Sequence, residues 1–132
     1  MSVAISLKVE PVVSGECRGK LVVVNRYISF FGEVDPEKGL LKEESLSLEG
    51  AVLAFKGTRG STVAPYILYA MSKSGKKVAC IIVEEVEPML VAGCVLSEIP
   101  LYKVADLKAL LRLNGYHVEV INNSELRIVE QK

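Results

Sequence analysis

Residues 50–83 read "GAVLAFKGTRGSTVAPYILYAMSKSGKKVACIIV" and hold three patterns in succession. Gly50 to Gly57, "GAVLAFKG", is an unbroken apolar run between two glycines, as expected of a buried strand. From Ser61 the period changes: Val63, Tyr66, Ile67, Ala70 and Met71 recur at helical spacing until Ser74-Gly75 stops them. Pro65 falls in the first turn, where a missing N–H costs little. "KVACIIVEE", Lys77 to Glu85, is the clearest buried strand in the chain. Strand, helix and strand in this order predict a parallel pair joined by a right-handed crossover.

Outward from this unit the elements alternate. "EPMLVAGCVL", Glu87 to Leu96, reads as a short apolar helix with Pro88 near its start. "ADLKALLRLNG" predicts an amphipathic helix with Leu107, Leu110 and Leu111 on one face and Gly115 as its cap. "YHVEVIN" and "ELRIVE" alternate at period two around "NNS", the pattern of a closing hairpin. On the N-terminal side, "AISLKVEPVV" alternates until Pro11, and "KLVVVN", Lys20 to Asn25, fits a buried strand. "YISFFGEVDPEKGLL" breaks into turns at Gly32, Asp35-Pro36 and Gly39. The fold class is therefore α/β, and the strands preceding the crossover predict a second sheet or a partial barrel. No internal repeat or low-complexity linker is visible.

A length of 132 residues predicts a single domain, 1–132, and a hydrophobic share of 50% suffices for a sizeable core. Sixteen basic and 16 acidic residues balance, which argues against a general nucleic-acid binder. No apolar run reaches the roughly 18 residues that cross a bilayer. "MSVAISLKVEP" lacks the basic and apolar regions of a signal peptide, so the expected location is cytoplasmic, with no membrane partner. The three cysteines, Cys17, Cys80 and Cys94, are odd in number and widely spaced, which does not suggest a disulfide framework. Three is also the number that a cluster with one open iron would need. Cys80 in "VACIIV" and Cys94 in "MLVAGCVL" read instead as small hydrophobes, and Cys17 in "SGECRGK" as a free thiol in a polar setting.

The segment "GTRGST", Gly57 to Thr62, joins strand to helix. It is not a P-loop, a dinucleotide fingerprint or a nucleophile elbow. Its residue types suit an anion. Glycines let the backbone come close, a helix start offers unpaired N–H groups and a positive dipole end, and Arg59 adds a bidentate fork. The same residues also suit a plain turn in which Ser61 is the N-cap and Arg59 is solvated. Spacing leaves both readings open.

Two stretches carry a resemblance. "SFFGEVDPEKG", Ser29 to Gly39, resembles the S-F-x-G-x-V-D-P-x-x-G segment in the small subunit of aconitase X-type proteins. Gly57 to Ser61 is similar to that family's G-x-R-G-S motif at a helix start. A buried strand and an E-x-x-x-x-x-G-x-x-x-x-x-I-P pattern follow, here Glu87, Gly93, Ile99 and Pro100. The resemblance covers about Gly19 to Leu101. It implies a swivelling β/β/α domain, like the mobile domain of aconitase, docked on a large aconitase-like subunit that carries a 4Fe–4S cluster. It implies a hydro-lyase acting on a phosphorylated small molecule. The reaction would be loss of water from (R)-5-phosphomevalonate to give trans-anhydromevalonate 5-phosphate, in the archaeal mevalonate route to isoprenoids. It assigns Ser61 as proton acceptor, with Arg59, Gly60 and Thr62 around the substrate. A serine alkoxide becomes plausible at a helix N-terminus, beside a cation, with water excluded.

Glu33 stands where the pattern expects a second glycine, and Ala64-Pro65 where small or polar residues are commoner. The stretch from Tyr102 onward matches no family motif. Other readings are a non-catalytic swivel module that binds a phosphorylated small molecule or a partner protein, and a dehydratase subunit for another hydroxy acid. Asp35 suits an Asp-Pro turn or a site-shaping role. Glu84 and Glu85 suit either a cleft-facing position or, the favoured reading, a solvated strand end, and His117 is expected in the hairpin rather than in catalysis. Lys73, Lys76 and Lys77 are expected around a solvated helix end.

Overall fold

The computed structural model describes residues 6–59 and 63–130. Two short strands open the chain, β1 (Ser6–Lys8) and β2 (Glu10–Val13), followed by the long β3 (Arg18–Ile28). A single helical turn, α1 (Phe30–Glu33), leads into a small antiparallel sheet of β4 (Val34–Asp35), β5 (Leu40–Leu41) and β6 (Leu46–Ser47). Then come β7 (Val52–Thr58), α2 (Ala64–Lys73), β8 (Cys80–Val83), α3 (Pro88–Leu96) and β9 (Leu101–Lys103). A 3₁₀ helix (Leu107–Leu113) and the hairpin β10 (His117–Ile121) and β11 (Glu125–Glu130) complete the order.

The predicted crossover is present: β7 and β8 pair in parallel, Val52 opposite Cys80 through Phe55 opposite Val83, with α2 between them in sequence. β3 and β9 extend the parallel sheet on either side. The full strand order is β1-β11-β10-β3-β7-β8-β9-β2. β1 and β2 stand at opposite ends of that order, yet only Val9 lies between them. In a flat sheet, seven steps of about 4.8 Å would set them roughly 34 Å apart, and one residue spans at most about 3.6 Å. The sheet must therefore curl back on itself. No ladder joins β1 to β2, so the barrel stays partial. Pro11 sits in β2, an edge strand, where its missing N–H is tolerated and the strand runs on to Val13.

Alternation along β7 feeds two cores. Leu53 and Phe55 pack with Ala64, Leu68 and Met71 of α2 and Leu90 and Cys94 of α3. Val52 and Ala54 face the other way, toward Leu107, Leu110 and Leu113 of the 3₁₀ helix and Val118 and Leu126 of the hairpin. Phe30 joins the first core through an edge-to-face contact with Phe55 at 5.7 Å between centroids. α2 and α3 pack closely at Gly93, where an added Cβ would lie 2.8 Å from Leu68 Cδ1 and 3.0 Å from Pro65 Cα.

Two expectations change. The segment after Asp106 is a 3₁₀ helix, and its buried residues are Leu107, Leu110 and Leu113, one every three. Leu111 is 41% exposed, because three residues per turn carry it off the buried stripe. Cys17 and Cys80 are joined in a disulfide with a Cα–Cα distance of 5.3 Å, and Cys17 is fully buried despite its polar sequence setting. Curling of the sheet brings the loop before β3 over the start of β8, a proximity that cysteine spacing does not reveal. α2 begins at Ala64 with Val63 at its N-cap position, and the alternative reading of Ser61 as a cap lies outside the described residues. The hairpin is as expected: Asn122 and Asn123 both take positive φ (52° and 57°), as a tight turn between twisted strands requires.

Candidate functional site

The carboxyl ends of β3 and β7 finish side by side, Ile28 opposite Thr58, and the Arg59 amide extends the ladder to the Ile28 carbonyl at 3.1 Å. β8 ends alongside at Val83 and leads into Glu84, Glu85 and Glu87. This edge of a parallel sheet is where α/β folds place ligands. Here it holds Arg59 and flanks residues 60–62. Gly60, Ser61 and Thr62 lie outside the described residues.

Arg59 is exposed, and its guanidinium carbon lies 4.8 Å from the centroid of the Tyr27 ring. The Tyr27 hydroxyl donates to the Glu85 carboxylate. That hydrogen bond, aided by burial and the Glu85 charge, raises the phenol above its ordinary pKa. Gly57, the first glycine of the motif, lies against both groups. A Cβ there would come within 3.2 Å of Glu85 Cβ and 3.4 Å of the Tyr27 ring edge. The glycine thus permits the close approach of ring and carboxylate.

The next motif residue ties strand to helix. The Thr58 hydroxyl donates to Glu87 at 2.8 Å. Glu87 caps α3, accepting the amides of Met89 at 3.2 Å and Leu90 at 2.9 Å. Two stretches far apart in sequence, Gly57–Ser61 and the one opening at Glu87, are therefore bonded to each other. Glu84 accepts the Leu107 amide at 2.6 Å and so starts the 3₁₀ helix. Glu85 is exposed at the strand end, as expected, though its carboxylate also accepts the Tyr27 hydroxyl, whereas Glu84 is half-buried with its carboxylate on the Leu107 amide.

The mouth of α2 is narrower as an anion site than the sequence suggests. Pro65 has no N–H, and the amides of Tyr66 and Ile67 both turn back to the Val63 carbonyl, at 3.0 and 3.2 Å. The dipole of this ten-residue helix remains, but those three residues offer an anion little direct donation.

Beside this edge, Glu33 has a defined task. Its carboxylate accepts the Ser29 amide at 2.8 Å and pairs with Arg26, which also reaches Glu44 at 2.7 Å. Burial pushes the Glu33 carboxyl up, but the Ser29 amide and Arg26 together hold it below its usual value. Asp35 shapes its turn by accepting the amides of Glu37 and Lys38 at 3.0 and 3.1 Å. His117 lies at the start of β10, opposite Lys20. Lys76 pairs with Glu49 at 3.3 Å, and Lys77 donates to the Ser97 carbonyl at 3.2 Å.

The thiols do not fit an iron–sulfur cluster. Cys17 and Cys80 are bonded to each other, and burial pushes the Cys94 thiol up to about 12. Among the described residues no three His, Cys, Asp or Glu side chains group as a metal site. No helix among them is long and apolar enough to cross a membrane. Two hollows, of about 430 and 540 Å³, lie toward the amino ends of the parallel strands. Lys20, Glu49 and Asn114 line the first; Glu16, Lys77 and Pro100 line the second. Arg59, Tyr27 and Glu85 line neither.

Sequence reasoning singled out Arg59 and missed Tyr27 and Glu85 as its neighbours. Tyr27 sat inside a turn-rich segment with no spacing to mark it. Glu87 carried a usable signal, an acidic residue just before a proline-started helix.

The aconitase X swivel domain family matches residues 6–129. The chain is 39% identical over 120 residues to the phosphomevalonate dehydratase small subunit of Aeropyrum pernix, covering 90% of this chain and 89% of that one. It is 41% identical over 112 residues to the protein of the same name from Pyrococcus horikoshii, covering 77% of this chain and 84% of that one. Among solved structures it resembles the holo-form of Thermococcus kodakaraensis aconitase X. The TM-score there is 0.86 and the identity 33%, over 96% of this chain and 99% of that one.

Proposed function

Since the chain belongs to the aconitase X swivel domain family, we propose that it is the small subunit of a two-chain hydro-lyase that dehydrates (R)-5-phosphomevalonate to trans-anhydromevalonate 5-phosphate. The observation that carries this reading is the placement of Arg59 at the carboxyl edge of the parallel sheet, in a chain whose relatives are named phosphomevalonate dehydratase small subunits. Arg59 presents an exposed cation at this edge and lines neither of the two larger hollows, which supports a site shared with a large subunit. The whole chain, 1–132, acts as one swivelling domain. It works in the cytoplasm, with neither nucleic acid nor membrane as partner.

In the reaction, the C–H bond next to the substrate carboxylate breaks and its electron pair becomes the new double bond. The hydroxyl leaves the neighbouring carbon with the C–O pair, and the large subunit's cluster would supply the Lewis acid that takes it. Ser61 accepts the proton. Arg59 pairs with a substrate anion, and Gly60 and Thr62 offer it backbone and hydroxyl donors. The dipole of α2 favours the negative charge on Ser61. Docking of the large subunit excludes water and strengthens each of these interactions. The 4Fe–4S cluster is assigned to that large subunit, a reading supported by the thiols of this chain being bonded together or buried.

The test is to assemble the chain with its large subunit, supply (R)-5-phosphomevalonate and compare wild type with Ser61→Ala. The expected loss in kcat is about 10³-fold. Full activity in the variant would refute the role of Ser61, and an inactive wild-type assembly would refute the substrate.

A further inference from the structure

We propose that Tyr27 and Glu85 are positioning residues that hold the Arg59 guanidinium over the half-site, the Tyr27 ring as platform and the Glu85 carboxylate as its anchor. This rests on the dehydratase reading above. An exposed arginine has many rotamers, and ordering them on substrate binding costs affinity. The ring 4.8 Å below the guanidinium narrows that freedom before substrate arrives. The ring is itself held. Its hydroxyl donates to Glu85, and the Glu85 amide is fixed to the Lys56 carbonyl of β7 at 2.9 Å.

Two further features fit this role. A hydrogen bond from the phenol to a carboxylate leaves the ring richer in electrons, which favours a cation on its face. Arg59 rests on the ring, while the Glu85 carboxylate is engaged by the Tyr27 hydroxyl rather than paired with the arginine. A direct Arg59–Glu85 pair would occupy the same donors that a substrate carboxylate or phosphate needs. Placing the ring between the two opposite charges keeps Arg59 ordered without using up its fork. Gly57 makes this stacking possible by leaving room for both groups.

The experiment uses the assembled two-subunit enzyme with (R)-5-phosphomevalonate as probe. Tyr27→Leu is expected to raise KM about tenfold, with kcat changed no more than about threefold. Tyr27→Phe, which keeps the platform, restores most of the affinity. Glu85→Gln raises KM by roughly twofold, and ultraviolet titration then shows the Tyr27 phenol ionising closer to its ordinary pKa. That titration reports the Tyr27–Glu85 hydrogen bond, and the rise in KM without a matching fall in kcat, rescued by Tyr27→Phe, is the readout that a merely structural tyrosine would not give. The proposal is overturned if Tyr27→Leu leaves KM unchanged while Arg59→Ala raises it, since Arg59 would then work without a platform. If Arg59→Ala itself leaves KM and kcat unchanged, or the wild-type assembly has no dehydratase activity, the underlying reading falls and the proposal with it.

Discussion

The two ends of the parallel sheet are built on opposite plans. The amino ends of its strands are fastened. Cys17, just before β3, is bonded to Cys80, the first residue of β8, and two hollows of about 430 and 540 Å³ lie nearby, while a smaller one of about 240 Å³ lies by Lys103 at the carboxyl end of β9. The carboxyl ends are open, and Arg59, Tyr27, Glu85 and Glu87 converge there. The larger hollows offer volume, whereas the open end offers a cation stacked on Tyr27, a capped helix start and carboxylates committed to protein donors. The half-site proposed above is read from that chemistry rather than from volume.

The largest contrast between the ends is expected in activity. Arg59→Ala should lower kcat/KM of the assembled enzyme by about 10²-fold, the value of a charge-assisted pair lost from an excluded site. Lys20→Ala, in the hollow at the other end, should leave it within about twofold. Steady-state kinetics would measure both, and equal effects would break the comparison.

Stability should show the reverse pattern. Replacing Cys17 and Cys80 together by alanine removes a cross-link spanning 63 residues. It should destabilise the chain by about 4 kcal/mol in denaturant unfolding. Where the variant is still folded, kcat should not change, because the staple lies at the end away from Arg59.

The smallest effect is at the open end. The Glu33 carboxyl is held below its ordinary value of 4.5, burial opposing and the Ser29 amide and Arg26 prevailing. A depressed carboxylate adds stability at pH values above its unfolded pKa and loses it as pH falls through the folded one. Melting temperature should therefore decline below pH 4.5 less steeply in Glu33→Gln than in wild type.

The central crossover was legible because β7 and β8 are apolar runs bounded by glycines or charges, and α2 shows a clean change of period. The hairpin was legible from alternation around two asparagines. What failed depended on contacts distant in sequence or on a small difference in period. Leu107 and Leu110 fit either helix type, and only the exposure of Leu111 and burial of Leu113 separate three residues per turn from 3.6. The disulfide depends on the curl of the whole sheet. In the candidate site, Arg59 was singled out through its own motif, and its role is part of the proposal above. Tyr27 becomes its neighbour only once β3 and β7 are aligned in parallel, which local sequence does not encode. The glutamates looked solvated because their partners, Tyr27 and the Leu107 amide, also lie elsewhere in the chain.

Amide hydrogen exchange of this chain, alone and with the large subunit plus (R)-5-phosphomevalonate, tests most directly which end is the site. Increased protection is predicted in peptides covering 27–33 and 57–67, with 46–51 and 113–116 unchanged. Protection confined to 46–51 and 113–116 would move the site to the fastened end and contradict the account.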